Sequence, residues 1–411
     1  MPMKPGIVRG VQLRYSYRLD PRPRHRAALG KAFGCARVVF NDGLAARRQA
    51  HQAGQPYLTD AELSARLTAV KATSERAWLT EVSAVVLQQA LADLNAAYRN
   101  YFASLKGTRK GPKIGLPRFR SRKDSRQAIR FTANAWFKIL PGGKLRLPKI
   151  GDVPVGWSRP LPSEPSSVTV IRDSAGRYFA SFVIQTRPGA LPETEPVIGI
   201  DLGLKHFAVL SDGTKIASPR FLRRAEKKLR RAQRALSRKE KGSRNRDKAR
   251  VTVARVHARV ADARRDFCHQ LSTVLIRENQ AVAVENLAVK GLARTRMAKS
   301  VHDAGWSAFV GMLEYKARLY GRQFHRIGRY EPTSQRCSAC GVRDSPKPLH
   351  VREWQCPACG AQLDRDVNAA VNVAKAAGLA VTACGAQVRP GLALAQRGEA
   401  GTHPTSRRKA A

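Results

Sequence analysis

Residues 197–218 read VIGIDLGLKHFAVLSDGTKIAS. The apolar run from Val197 to Ile200 stops abruptly at Asp201, a second run reaches Leu210, and Ser211-Asp212-Gly213 supplies a turn before a short third run. That pattern is a β-hairpin fed by a strand with no polar face, the kind buried inside a mixed sheet. A carboxylate at the end of such a strand is costly to ionise unless a cation compensates it.

The same arrangement recurs further along the chain. AVAV at 281–284 is a short buried strand that ends at Glu285, and Asp366 opens the last apolar helix, 366–377. That helix puts Val367, Ala370, Val371 and Ala374 on one face and stops at Gly378. Taken singly, each acid is an ordinary cap or ion-pair partner. Taken together, in a chain with only 30 acidic residues, they favour a metal site. Hard oxygen ligands converging from separate elements bind Mg²⁺, and a pair of such ions can drive in-line phosphodiester hydrolysis. His206 follows Asp201 closely and reads as a strand residue rather than a ligand.

Between the two strands, residues 218–276 read as a helical hairpin. Ser218 and Pro219 suit an N-cap and first helical position. Leu222, Ala225, Leu229, Ala232 and Leu236 step by three and four, as do Val253, Val256, Val260, Ala263 and Phe267 after the break at Lys241-Gly242-Ser243. Residues 220–265 hold nineteen Lys/Arg and four Asp/Glu. A single-signed rod points to nucleic acid rather than to a merely solvated face. A further helix is expected at 305–322, with Trp306, Phe309, Leu313 and Tyr320 in the core.

Cys337-x2-Cys340 and Cys356-x2-Cys359 are two knuckles, each followed by glycine. Four thiolates at that spacing make a closed tetrahedral Zn²⁺ site with a structural role, since no coordination position is left open. Cys35, Cys268 and Cys384 read as packing residues.

Upstream, Ile7–Arg18 suits a strand and residues 24–50 and 59–105 carry helical periodicity. Residues 106–126 form a basic Gly/Pro-rich loop with Phe119 among arginines, read as a phosphate-contacting loop rather than a plain linker. Short β-like runs fill 129–186 and fit a small barrel or sheet. The proline-rich, acidic RPGALPETEPV (187–197) marks a boundary.

Composition narrows the class. The chain has 411 residues, 43% hydrophobic and 26% charged, with 75 Lys/Arg and a formal charge of +45. An excess so large, spread along a globular chain, calls for a polyanion. No apolar run is long enough for a membrane span, and the start lacks a secretory apolar region. The cysteine pairing suits a reducing compartment.

GIDLGLKHFAV, VENL at 284–287, and CSACG…CPACGAQLDRDVNAAVNV together resemble TnpB, the transposon-associated OrfB family related to type V CRISPR effectors. The resemblance runs through about residues 197–378, with weaker echoes at CARVVFNDGL and GLPRFRSRKDSRQAIRF. It implies an α/β multidomain chain whose RNase H-like (RuvC) nuclease core is split by the hairpin and the zinc ribbon. A wedge β-barrel with a helical recognition insertion would precede it. The implied boundaries are 1–190 for the wedge, with its insertion at about 24–105, and 191–330 for the first part of the core. The ribbon would occupy 331–362, the last core helix 363–378, and a disordered tail 379–411.

The resemblance also implies the catalytic acids Asp201, Glu285 and Asp366. The family pattern sets the third acid two residues before the Asn of the N-A-A helix, which leaves Asp364 as a capping or supporting group. The implied activity is Mg²⁺-dependent cleavage of double-stranded DNA beside a short transposon-adjacent motif, directed by a guide RNA (ωRNA) from the transposon end. The implied setting is the cytoplasm of a bacterium or archaeon, at the nucleoid when acting. The alternative is a guide-directed repressor or transposition accessory factor that binds without cutting. A strand-joining transposase is disfavoured, because no Tyr or Ser nucleophile stands out.

Overall fold

The computed structural model describes residues 11–379 except Pro188 and Leu349. The N-terminal part comprises β1 (Val11–Leu19), α1 (Pro23–Gln52), α2 (Asp60–Lys71) and α3 (Ala84–Leu105). Six strands follow: β2 (Gln127–Thr132), β3 (Lys138–Ile139), β4 (Lys144–Leu147), β5 (Gly151–Gly156), β6 (Pro165–Arg172) and β7 (Tyr178–Thr186). Next come β8 (Val197–Asp201), β9 (His206–Leu210), β10 (Lys215–Ala217), α4 (Phe221–Ser237), α5 (Arg244–Glu278) and β11 (Ala281–Val284). The chain continues through α6 (Val289–Leu292), α7 (Ala298–Ala304), α8 (Trp306–Tyr320) and β12 (Gln323–Arg326). It closes with β13 (Glu353–Gln355), β14 (Gln362–Asp364) and α9 (Arg365–Ala376).

Contacts divide the chain into two compact units. The first takes the chain up to Glu195 together with Pro219–Gln280 and Val289–Phe324. Its seven-stranded sheet, in the order β2-β6-β7-β1-β5-β4-β3, is antiparallel and curled. Tyr17, Phe131 and Phe182 from the strands share one core with Leu29 and Leu44 of α1 and Leu87 and Leu94 of α3. The helical stretch expected at 59–105 is divided. Thr59 and Glu62 cap the start of α2 reciprocally. At its end the Thr73 hydroxyl donates to the Val70 carbonyl, a local bond that competes with continuing the helix. A short 3₁₀ turn, Ala77–Glu81, then buries Leu79 before α3 begins.

The helical hairpin is present as α4 and α5, its α4 seam only half-buried. The expected cap at Ser218 and Pro219 is corrected. The helix starts at Phe221 behind Arg220, whose φ is 47°. Its free N–H groups are met from a distance: buried Asp303 accepts from Leu222 N at 2.9 Å and from Arg223 N at 3.4 Å. Arg264 of α5 closes the arrangement, with Nη2 3.0 Å from the same carboxylate. Gly305 lets Arg264 lie there, since a Cβ would fall 2.8 Å from its Cδ.

Helix α8 buries Trp306, Phe309 and Leu313 as expected, but Tyr320 only partly. The unexpected inward residue is Lys316. Its Nζ donates to His269 O, Ser272 Oγ and Thr273 Oγ1 at 2.6–2.7 Å. Cys35 and Cys268 are buried. Cys384 and, from residue 380 on, the expected tail lie outside the described residues.

The second unit takes Pro196–Ser218, Ala281–Ala288 and the chain from His325. Its sheet runs β10-β9-β8-β11-β12. β9 is antiparallel to β8 and β10, whereas β11 lies parallel to β8 with Val284 opposite Ile200. This is the RNase H-like core, with α9 packed on β8. The buried face of α9 is centred on Ala370, Val373 and Ala374, with Val367 and Val371 at its margin. Among the described residues no helix is long and apolar enough to cross a membrane.

Candidate functional site

Parallel pairing of Ile200 with Val284 means that the next residues, Asp201 and Glu285, leave two neighbouring strands at the same edge. Helix α9 brings the third acid. It can approach because β8 has glycine at 199, where a Cβ would lie 2.1 Å from the Ala370 carbonyl oxygen. Asp366 then sits in the first turn of α9.

The three acids share one electrostatic environment. Burial pushes the Asp201 carboxyl up to about 8, and the charges of Glu285 and Asp366 add to the rise, while Arg365 opposes it. Burial also raises Glu285, partly offset by a hydrogen bond from Thr333. Asp366 is paired with Arg352 at 3.2 Å. Asp364 caps α9, its Oδ1 accepting from Asp366 N and Val367 N at 3.0 Å, and its other oxygen meets Lys215. His206 begins β9 and is half-buried.

Hard oxygen donors, one of them a buried Asp201 whose ionisation the other two oppose, fit a divalent cation, which would supply the positive charge Asp201 lacks. Among the described residues, only the cysteines form a group of three or more ligand atoms all within 4.8 Å of one another. Glu285 instead takes a hydrogen bond from Thr333, and Asp366 pairs with Arg352.

Cys337, Cys340, Cys356 and Cys359 make that group. Sulfur separations of 3.7 Å, Cys337 to Cys359 and Cys340 to Cys356, match a tetrahedron edge. Zn–S bonds of about 2.3 Å imply an edge of about 3.8 Å. Backbone N–H groups of Gly341 and Gly360 donate to the Cys337 and Cys356 carbonyls, and both glycines have positive φ, so each knuckle turns tightly. The buried core here is Cys337, Trp354 and Cys356. So small a core suits a domain that a bound metal would hold together.

Several residues at this site carry no local sequence signal. Thr333, Arg352 and Lys215 lie far from their carboxylate partners in sequence. Asn368 and Asn372 carry only a weak signal, two polar residues four apart among the apolar positions of α9.

Comparison with known proteins follows the same outline. A family profile described as "Probable transposase" (OrfB of IS605 type) matches residues 181–296, and a "Cas12f1-like, TNB domain" profile matches 306–373. A "Helix-turn-helix domain" profile of the same OrfB group matches 11–56, a stretch that is one strand and one unbroken helix here. A Streptomyces pristinaespiralis protein described as "Putative RNA-guided DNA endonuclease" is 42% identical, over 93% of this chain and 94% of its own length. An Escherichia coli K12 protein of the same description, InsQ, is 31% identical over 93% of this chain and 96% of its own. Among solved structures, Cas12f1 in complex with sgRNA and target DNA shares the fold. Its TM-score is 0.52 at 12% identity, covering 89% of this chain and 98% of that one. The mini-RNA-guided endonuclease CRISPR-Cas_phi3 gives a TM-score of 0.51 at 10% identity, covering 93% and 94%. The sheet order, the ribbon and these relatives agree: the chain belongs to the TnpB family, the transposon-associated OrfB proteins related to type V CRISPR effectors.

Proposed function

We propose that this chain is an RNA-guided DNA endonuclease of an insertion sequence, cutting beside a short transposon-adjacent motif with a RuvC-type Asp201, Glu285 and Asp366 site. The reading is carried by the placement of the acids: Asp201 and Glu285 follow paired residues at one edge of β8 and β11, and Asp366 opens the helix packed on β8. Burial, with the charges of Glu285 and Asp366, pushes the Asp201 carboxyl up to about 8. The names of the relatives support the guide-RNA and DNA assignments. In this reading residues 1–190 are the wedge with its recognition insertion, 191–330 and 363–378 the nuclease core, and 331–362 the ribbon.

Asp201, Glu285 and Asp366 would hold Mg²⁺, which when bound supplies a water activated for attack and charge stabilisation at the leaving 3′ oxygen. Asp201 and Glu285, at one edge of paired strands, offer their oxygens from a rigid base. Asp364 caps the helix that carries Asp366 and so limits its movement. Arg352, paired with Asp366, would help hold that carboxylate in place beside a bound cation. The four cysteines would hold a structural Zn²⁺. Guide pairing would read sequence, while the cationic faces hold the backbone of the heteroduplex.

The test is to recover the RNA that co-purifies with the protein and use it to program cleavage of a plasmid library with randomised flanks. Wild type should cut beside one short motif only with Mg²⁺, and Asp201→Ala should bind the same target without cutting. A wild type that binds but never cuts would instead be the accessory binding factor.

A further inference from the structure

Thr333 lies in the segment between β12 and the first cysteine knuckle and is buried. Its hydroxyl donates to Glu285 Oε1 at 2.5 Å. A hydroxyl has one proton to give, and here it goes to a carboxylate that burial already disfavours as an anion. Thr333 thereby commits one oxygen of Glu285 and sets the plane in which the other faces.

What holds Thr333 is a pair of asparagines one helical turn apart on α9. The side-chain amide of Asn372 donates to Thr333 O at 2.8 Å and to Arg336 O at 2.6 Å. Asn368 donates to the same two carbonyls, at 3.3 and 2.8 Å, and its own oxygen accepts from Ser338 N at 2.7 Å. Both asparagines are almost wholly buried. Buried amides with their donors engaged are costly to disturb, and a fully satisfied polar network specifies a single geometry. The clamp therefore ties the backbone of residues 333–338, which includes Cys337, to the helix that carries Asp366.

We propose that Thr333 is a positioning residue for Glu285, and that the Asn368–Asn372 clamp is the link through which the folded zinc ribbon sets that carboxylate. The proposal rests on the reading of Glu285 as a metal ligand. It adds that the ribbon aligns the site as well as stabilising the fold. Loss of a group that orients a ligand typically weakens metal affinity by about 10–100-fold.

The test uses full-length protein with its co-purified RNA. Thr333→Val keeps shape and removes the hydroxyl, Thr333→Ser keeps the hydroxyl, and Cys356→Ser opens the ribbon. Mn²⁺ binding followed by its EPR signal is read alongside the Mg²⁺ concentration for half-maximal cleavage, with zinc content and thermal midpoint as folding controls. Thr333→Val should weaken Mn²⁺ binding about tenfold or more at wild-type zinc content, and Thr333→Ser should restore most of it. Should the Val variant lose zinc, Thr333→Ala is read in its place. Cys356→Ser should weaken Mn²⁺ binding as well. Unchanged Mn²⁺ affinity in Thr333→Val, or a Ser variant as impaired as Val, overturns the positioning role. Wild-type affinity in zinc-free Cys356→Ser overturns the link to the ribbon. Glu285→Ala separates the two readings: if it cleaves normally the nuclease site itself is misassigned, and if it is inactive while Thr333→Val is normal, only this proposal fails.

Discussion

Gly199 of β8 and Ala370 of α9 meet with no side chain between them. A Cβ on Gly199 would stand 2.1 Å from the Ala370 carbonyl oxygen and 2.8 Å from the Ala374 nitrogen. Backbone atoms cannot yield as a side-chain tip can, so an added methyl forces helix and strand apart. The distance between Asp201, two residues beyond Gly199, and Asp366, four before Ala370, depends on that contact.

Gly199→Ala should therefore lower the thermal midpoint and abolish cleavage together. Overpacking costs typically about 1–3 kcal/mol, and here the methyl would meet main chain. Differential scanning fluorimetry and a plasmid-nicking assay on one preparation check it. A fully active, equally stable variant would mean that α9 does not pack on β8 this closely.

Removing zinc should unfold the ribbon locally. Its buried core holds only Cys337, Trp354 and Cys356, too little apolar surface to persist without the metal. Wild-type protein is expected to carry one zinc per chain by elemental analysis, and Cys356→Ser none. The variant should also show faster proteolysis within 331–362. Equal zinc content in both proteins contradicts the site.

Asp303 serves two partners, the start of α4 and the guanidinium of Arg264. Asp303→Ala leaves both unmet, and loss of a cap alone costs about 0.5–2 kcal/mol. The expected result is destabilisation of about 2 kcal/mol or more, since a partly buried cation also loses its counter-charge. Urea unfolding measures this, and Asp303→Asn, which still accepts hydrogen bonds, should fall between the two.

Lys316 predicts a pH dependence. Burial pushes its amine down to about 8, against an ordinary value of 10.5. Between these values the unfolded chain binds the extra proton, so stability rises with pH across that window. Below about 8 the buried charge is carried at its full cost. Relative to Lys316→Met, wild type should gain stability between pH 8 and pH 10.5. Urea midpoints of the two proteins at both pH values test this; a constant difference would show that the amine is not desolvated.

Much of the fold could be read from local pattern. The strand ending at Asp201, the hairpin, the seam of α4 and α5, and the last helix all lie close to where periodicity and turn residues put them. The exceptions share a cause. The start of α4 moved past Ser218 because a carboxylate from α7 supplied its cap. The second helical stretch broke where Thr73 bonded back to Val70. Lys316 lies inward on α8 beside the core residues named from the sequence, because three oxygens of α5 receive it.

The amino-acid order alone determined the kinds of element, the charge that calls for a polyanion, the two close cysteine pairs and the places of the acids that end two strands and open the last helix. Each of these is written in residue type and spacing over a few turns of chain. Tertiary structure decided which groups face those acids and how tightly each is held: Thr333 on Glu285, Arg352 on Asp366, and bare backbone at Gly199. Such pairings join residues from 14 to more than a hundred positions apart. Their strength depends on burial and distance, which exist only once β8, β11, α9 and the ribbon have packed together.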